Sequence, residues 1–287
     1  MTDGVAVGGR TALYGLVGWP VAHTLSPAMQ NAALRHLGLD GVYLPLPVEP
    51  ARLAEALRGA HALGFQGLNA TVPHKQAAVA ACERLDPVAA AIGAVNTLRR
   101  TDTGWEGFNT DATALAELLE LNGVNAGARV LLVGAGGAAR AGAWAALQAG
   151  ASLVVCARRE EAAQAFVEAL RQALPAWAGA IEPLPWDGLG PACQDADVIM
   201  NGSSVGMAGQ PAALPGVAFR PGQVAVDMVY GETAFIGAAA AAGATVVRGE
   251  AMLLRQGAHG FTIWTGRPAP LDIMAAALRA ARARTEP

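Results

Sequence analysis

The sequence predicts a two-domain α/β protein, and three observations carry that prediction. Its 287 residues exceed the ~100–200 that one typical domain uses. Strand-like and helix-like runs alternate along most of the chain, the signature of layered α/β architecture. From about Gly249 onward the pattern turns helical and stays so. The expected layout is an open, mostly parallel α/β domain over residues 1–111, a second α/β domain over 112–248, and C-terminal helices over 249–287 packing back on the first. The chain would then cross between the domains twice, leaving a cleft with two hinges.

The elements follow in order. "ALYGLVG" is a short apolar strand, and "SPAMQNAALRHLG" a helix with Ser26 as N-cap and Pro27 at the first helical position. Next come strand "VYLPLPV", helix "PARLAEALRGAHALG", strand "GLNATV" and helix "HKQAAVAACERL". A helix from Asp111 to Leu121 leads into strand Arg129–Val133, a glycine turn at Gly134–Gly137 and helix Ala138–Ala149. Strand "SLVVCA", helix "EEAAQAFVEALRQAL", strands "DVIMN" and "QVAVDMV", an Ala-rich helix and strand "ATVV" complete the second domain. "AMLLRQGAHGFTIWTG" and "LDIMAAALRAARA" are the terminal helices.

Composition narrows the function classes. The chain is 53% hydrophobic and 15% charged with a net charge of −3, so no basic excess draws it to nucleic acid or an anionic membrane. Abundant Gly and Ala with few aromatics suit close helix–sheet packing. Its three cysteines, Cys82, Cys156 and Cys193, are scattered and form no CxxC pair, which argues against a disulfide framework or a zinc knuckle. The start, "MTDGVAVGGRTALYG", lacks a basic segment followed by a sustained apolar run, so no signal peptide is expected. The apolar stretch Ala234–Val247 falls short of the ~20 residues a membrane span needs. A cytoplasmic protein is expected.

"GAGGAA" fits the G-x-G-x-x-G/A pattern and sits between a β-branched strand and a helix, the context in which that pattern binds a dinucleotide. The second domain is therefore of Rossmann type. Gly134 permits the tight turn, Gly136 lets backbone approach a pyrophosphate, and Ala139 keeps helix and strand close. Ala135, Gly137 and Ala138 complete the loop, and the helix N-terminus offers N–H groups and a favourable dipole. The end of the next strand reads "VVCARREE". NAD sites place an acidic residue here for the ribose 2′-hydroxyl, about 20 residues past the loop. Arg158 and Arg159 instead suit a 2′-phosphate, so NADP is favoured over NAD. The arginines could alternatively be a solvated face, with Glu160 or Glu161 reaching a ribose.

Strand "GLNATV" runs into Pro73 and then Lys75; 36 positions later "GFNTDATAL" ends a strand-like run at Asp111. Carboxyl ends of strands are where open α/β sheets hold ligands. Alone, Asp111 is an ordinary helix-start carboxylate and Lys75 a surface lysine. Together, beside a nicotinamide site, they make an acid–base pair, since reduction of a ketone leaves an alkoxide that needs a proton. His23 and His74 read better as structural or orienting residues. No His/Cys/Asp cluster has metal-ligand spacing, so no metal is expected.

The motifs together resemble the shikimate dehydrogenase family from Gly15 to Gly266. "GWPVAHTLSPAMQNAAL" resembles its N-terminal substrate motif, "NATVPHK" the motif with the catalytic lysine, and "GAVNTL" and "GFNTD" those with a substrate asparagine and the catalytic aspartate. "GAGGAARA" resembles the cofactor loop, while "NGSSVGM", "DMVY" and "GEAMLLRQGAHGFTIWTG" resemble the C-terminal motifs. The resemblance implies Lys75 and Asp111 as catalytic residues. It implies Thr24 and Ser26 on a substrate carboxylate, Thr71, Asn96 and Gln256 on ring hydroxyls, and Tyr230 lining the cleft. It also implies Ser203, Met228, Gly249 and Met252 beside the cofactor. Such clustered hydroxyls and amides suit a compact polyol acid.

Some positions depart from the family pattern. Thr24 stands where serine is usual, keeping the hydroxyl and adding a methyl that narrows the pocket; this leaves shikimate and quinate both open. Arg159 replaces a usual threonine, Ala114 a usual glycine, and the stretch after Tyr230 is short. The reading implied is an NADP-dependent, metal-free reduction of 3-dehydroshikimate to shikimate, by a monomer or homodimer with no nucleic-acid or membrane partner. The rivals are a quinate/shikimate dehydrogenase using NAD or both cofactors, and a non-catalytic nucleotide sensor.

Overall fold

The computed structural model describes residues 7–207 and 209–284. They form two compact units, one running to Thr110 and resuming at Leu253, the other spanning Asp111–Met252.

The first unit opens with β1 (Ala12–Gly18), α1 (Ser26–His36), β2 (Gly41–Pro47), α2 (Leu53–Ala62) and β3 (Phe65–Ala70). It continues with β4 (Arg84–Leu85), α3 (Pro87–Ile92), β5 (Thr97–Arg100) and β6 (Trp105–Phe108). These strands form one six-stranded sheet in the order β2-β1-β3-β5-β6-β4. Only β5 runs against its neighbours, pairing antiparallel with both β3 and β6. The two prolines of β2, Pro45 and Pro47, are tolerated because β2 is an edge strand with a single partner.

The second unit begins as α4 (Thr110–Leu121) leads into β7 (Arg129–Val133), α5 (Gly137–Gln148), β8 (Ser152–Cys156) and α6 (Glu160–Ala173). Then come β9 (Ile181–Leu184), α7 (Leu189–Asp195), β10 (Val198–Asn201), β11 (Val224–Asp227), α8 (Ala234–Ala241) and β12 (Thr245–Val247). Its sheet is parallel throughout, ordered β12-β11-β10-β7-β8-β9. That is the doubly wound order of dinucleotide-binding folds, with its reversal point between β7 and β10. Strands β10 and β11 are buried along their whole length, as expected where helices cover both faces.

Helices α9 (Gly249–Thr265) and α10 (Leu271–Arg282) end the described chain. Met274, Leu278 and Ala281 of α10 recur at helical spacing and are buried, and α10 packs along α1. Leu253, Ala258 and Phe261 of α9 join Tyr14, Met29 and Tyr43 in one apolar cluster. On the other face of the sheet Val17, Leu57, Leu68 and Leu98 form a second cluster. The terminal helices thus serve as the missing layer on one face of the first sheet.

Three local expectations need correction. Residues 74–85 are not one helix: only Ala77–Ala81 coil, as a 3₁₀ turn, and Arg84–Leu85 pair with β6 instead. Ser26 is the first helical residue rather than the N-cap, which is Leu25, and no side chain caps that end. The strand before Lys75 stops at Ala70, leaving Thr71–Lys75 as a turn.

Candidate active site

In the first unit the sheet brings distant segments to one edge. Strands β1, β3 and β6 end there and the antiparallel β5 begins there, because Thr97 pairs with both Asn69 and Phe108. Thr71 N–H donates to Val17 O at 2.9 Å, and Trp19 N–H to Val72 O at 3.0 Å, so the loops after β1 and β3 run together. The first carries Thr24 and Ser26, linked by a bond from Ser26 N–H to Thr24 Oγ1 at 3.3 Å. Ser26 is buried and Thr24 half-buried. Lys75, also half-buried, accepts the Val95 N–H on its carbonyl at 2.8 Å, which seats it beside the start of β5. His74 is buried with Nε2 2.8 Å from Val48 O; that carbonyl can only accept, so the ring donates and pins the turn to the end of β2. His23 is exposed.

Asn96 is the hub of this edge. Its Oδ1 accepts the Thr110 N–H at 2.7 Å, and its Nδ2 lies 3.0 Å from Thr110 Oγ1 and 3.4 Å from Gln256 Oε1. Gln256 on α9 is fixed in turn by donating to Leu253 O at 3.0 Å. Asn96 and Gln256 are candidates named from the sequence, whereas the groups that hold them were not named. Asn69 Nδ2 donates to Asn96 O and to Thr97 Oγ1, both at 3.0 Å, and Tyr43 Oη donates to Asn69 Oδ1 at 2.7 Å. Thr97 and Thr110 were signalled by their places beside Asn96 and Asp111 in "GAVNTL" and "GFNTD", and Asn69 by "NATVPHK", but nothing in the chain pointed to Tyr43.

The second unit presents a separate set. Asp111, buried, lies in the first turn of α4, one peptide bond beyond Thr110. Gly134 has φ +123, and a Cβ there would meet Gly202 C and Ser203 N at 2.7 and 2.8 Å. A Cβ on Gly202 would in turn approach Ala139 Cα at 3.0 Å. Gly134, Ala139, Gly202 and Ser203 thus meet at the reversal point between β7 and β10. Around Gly136 a Cβ would meet nothing within 4 Å, so the loop Gly134–Ala139 leaves open space over the N-terminus of α5. Tight packing behind and open space in front is what a bound pyrophosphate requires, so the residues present fit a dinucleotide.

Arg158 and Arg159 are exposed at the end of β8, with Arg159 as N-cap of α6. Glu160 Oε1 lies 3.2 Å from its helical neighbour Gln164 Nε2. Met228 follows β11, and its Cε lies where a Cβ on Gly142 would come within 2.7 Å. Gly249 packs against the Val229 carbonyl and the Tyr230 ring. Although 46% of Tyr230 is exposed, desolvation raises its phenol pKa, with the Asp111 and Glu250 carboxylates adding to the rise. Met252, at the end of this unit, is buried. Among the described residues no group of three or more His, Cys, Asp or Glu is placed to hold a metal. Nor is any described helix long and apolar enough to cross a membrane.

Over 273 residues the chain is 59% identical to a shikimate dehydrogenase (NADP(+)) of Anaeromyxobacter sp. (strain K), covering 95% of this chain and 97% of that one. The chain belongs to the shikimate dehydrogenase family. Residues 16–98 match the shikimate dehydrogenase substrate binding domain, and 249–279 the shikimate 5′-dehydrogenase C-terminal domain. The structure resembles shikimate 5-dehydrogenase from Thermus thermophilus in complex with NADP(H) and shikimate, at TM-score 0.80 and 34% identity over 94% of this chain and all (100%) of that one. It also resembles quinate dehydrogenase from Corynebacterium glutamicum in complex with NAD, at TM-score 0.85 and 29% identity over 94% and 99% of the two chains. Both family matches include the polar edge of the first unit, Asn96 in one and Gln256 in the other.

Proposed function

We propose that this chain is an NADP-dependent shikimate dehydrogenase, reducing 3-dehydroshikimate to shikimate reversibly. One observation carries the reading: the chain is 59% identical to an NADP(+) shikimate dehydrogenase over nearly its full length, and it carries Lys75, Asp111 and the hydroxyls and amides expected of the substrate set. The quinate enzyme shares the fold at 29% identity, so fold alone does not choose the acid, and the difference in identity favours shikimate.

In this reading Thr24 and Ser26 bind the substrate carboxylate, and Thr71, Asn96 and Gln256 its ring hydroxyls. The Asn96 and Gln256 side chains are already held by hydrogen bonds, so they lose little side-chain entropy on binding. Lys75 gives its proton to the oxygen that becomes an alkoxide, and Asp111 completes the acid–base pair. When bound, the reduced dinucleotide supplies hydride. Gly134, Ala135, Gly136, Gly137, Ala138 and Ala139 hold its pyrophosphate; Arg158 and Arg159 hold the 2′-phosphate. Ser203, Met228, Tyr230, Gly249 and Met252 shape the surroundings of its nicotinamide and of the substrate. Three free thiols suit a reducing cytoplasm.

The test is a four-way assay of the purified protein with shikimate or quinate and NADP or NAD. Shikimate with NADP should exceed each other combination by at least about ten-fold in kcat/KM. Preference for quinate or for NAD would overturn the assignment.

A further inference from the structure

We propose that Tyr43 is a positioning residue for the substrate site, acting on Asn96 through Asn69. Tyr43 lies on edge strand β2 and Asn69 on β3, with β1 between them. Two strand spacings separate β2 from β3, ~9–10 Å, so a side chain on β2 must be long to deliver a hydrogen bond to β3. The tyrosine hydroxyl does so, donating to Asn69 Oδ1 at 2.7 Å with Tyr43 1% and Asn69 4% exposed.

Tyr43 is held at its backbone and hydroxyl, and its ring has an aromatic neighbour. The Asn31 side chain on α1 brackets its backbone, accepting from Tyr43 N–H at 2.8 Å and donating to Tyr43 O at 2.9 Å. Its ring lies 6.0 Å from that of Trp264 on α9, whose indole N–H donates to Leu98 O at 3.0 Å. A Cβ on Gly67 would fall 2.3 Å from the same indole, so the ring wall leaves no slack.

The direction of the relay follows from donor and acceptor roles. An amide has one oxygen and one NH₂, and Tyr43 can donate only to the oxygen if Asn69 is to keep donating onward. Fixing Asn69 Oδ1 toward β2 therefore aims Nδ2 at Asn96 O and Thr97 Oγ1. Thr97 Oγ1 is 3.2 Å from Asn96 Oδ1 and 3.0 Å from Thr110 Oγ1, which sets the orientation of the Asn96 amide. Without the phenol, Asn69 can flip, presenting an acceptor where Thr97 and the Asn96 carbonyl expect a donor. The inference rests on the reading of Asn96 as a ligand of the ring hydroxyls.

The experiment compares Tyr43→Phe, Asn69→Leu, their double variant and Asn96→Ala. Tyr43→Phe should raise the shikimate KM about ten-fold, with kcat and the NADP KM within about two-fold of the parent. Asn69→Leu should raise it at least as much, and the double variant no further than Asn69→Leu alone. A role in packing alone would lower the melting temperature while leaving the two KM values in their original ratio. An unchanged shikimate KM in Tyr43→Phe, equal rises for both ligands, or additive single effects would overturn the relay. Calorimetric titration of each variant with shikimate gives the same comparison without turnover. If Asn96→Ala raises the shikimate KM and Tyr43→Phe does not, the relay alone falls; if Asn96→Ala does not raise it, the site assignment falls with it.

Discussion

Asn96 and Thr110 hold each other in both directions: the Thr110 N–H donates to Asn96 Oδ1 at 2.7 Å, while Asn96 Nδ2 donates to Thr110 Oγ1 at 3.0 Å. The pair joins the start of β5 to the start of α4 and fixes the residue before Asp111. Both residues are buried, so truncating one strands the other's polar groups away from water. Asn96→Ala should cost ~1–3 kcal/mol of stability for the orphaned Thr110 amide, read as a lower urea midpoint at unchanged slope. An unaltered midpoint would mean that the pair contributes nothing to the fold.

The exposed Arg158 and Arg159 are assigned to the 2′-phosphate. Replacing both with Ala should raise the NADP KM by at least about ten-fold while the NAD KM stays within about two-fold, because only NADP carries the dianion. Parallel changes in both values would remove that role.

The two key glycines of the nucleotide loop should fail differently. Gly134→Ala forces a Cβ against Gly202 backbone at 2.7 Å in a left-handed conformation, so it should destabilise the fold by ~1–3 kcal/mol as well as abolish dinucleotide binding. Gly136→Ala meets nothing within 4 Å, so the melting temperature should hold while NADP affinity is lost. Thermal melts with and without NADP distinguish the two. A Gly136→Ala protein that binds NADP normally would contradict the open-cradle reading.

Buried thiols set an alkaline limit on stability. Desolvation pushes Cys82 up to about 11, and pushes Cys156 up to about 11 with Cys193 and Asp187 adding to it. Each folded value lies above the ordinary 9.0, so the contribution is complete below pH 9 and is lost as pH rises through 11. Asp227 is raised in the same sense, chiefly by desolvation, so its contribution is full below its ordinary 3.8 and declines above it. Urea midpoints measured from pH 8 to 11 should fall, and fall less steeply in Cys156→Ala than in the parent. Identical slopes would show that this thiol does not titrate differently in the folded protein.

Much of this was legible in the sequence where the determinants are local. The strand–loop–helix around Gly134 and the arginines at the end of β8 follow from consecutive residues and fall where their pattern indicates. β2 was recognisable despite Pro45 and Pro47 because an edge strand tolerates missing donors. The segment after Lys75 was not, since Arg84 and Leu85 gain more by pairing with β6 than by continuing a helix, a tertiary preference that local propensity does not register. Strand β5, not expected from the sequence, and its reversed direction were equally hidden. Alternating elements suggest parallel neighbours, and only the short return from Arg100 to Trp105 produces the antiparallel pair that brings Asn96 to Thr110. The Tyr43–Asn69 bond depends on two strands that are adjacent to a third rather than to each other, and no spacing along the chain encodes it.

Proton transfer by Lys75 is the central step of the proposed function. The direct measurement is steady-state reduction of 3-dehydroshikimate by NADPH with Lys75→Ala beside the parent protein, together with shikimate binding by calorimetry. The prediction is a loss of ~10²–10⁴ in kcat with shikimate affinity changed by no more than a few-fold. Turnover near the parent value in a variant that still binds shikimate would contradict the assignment of Lys75.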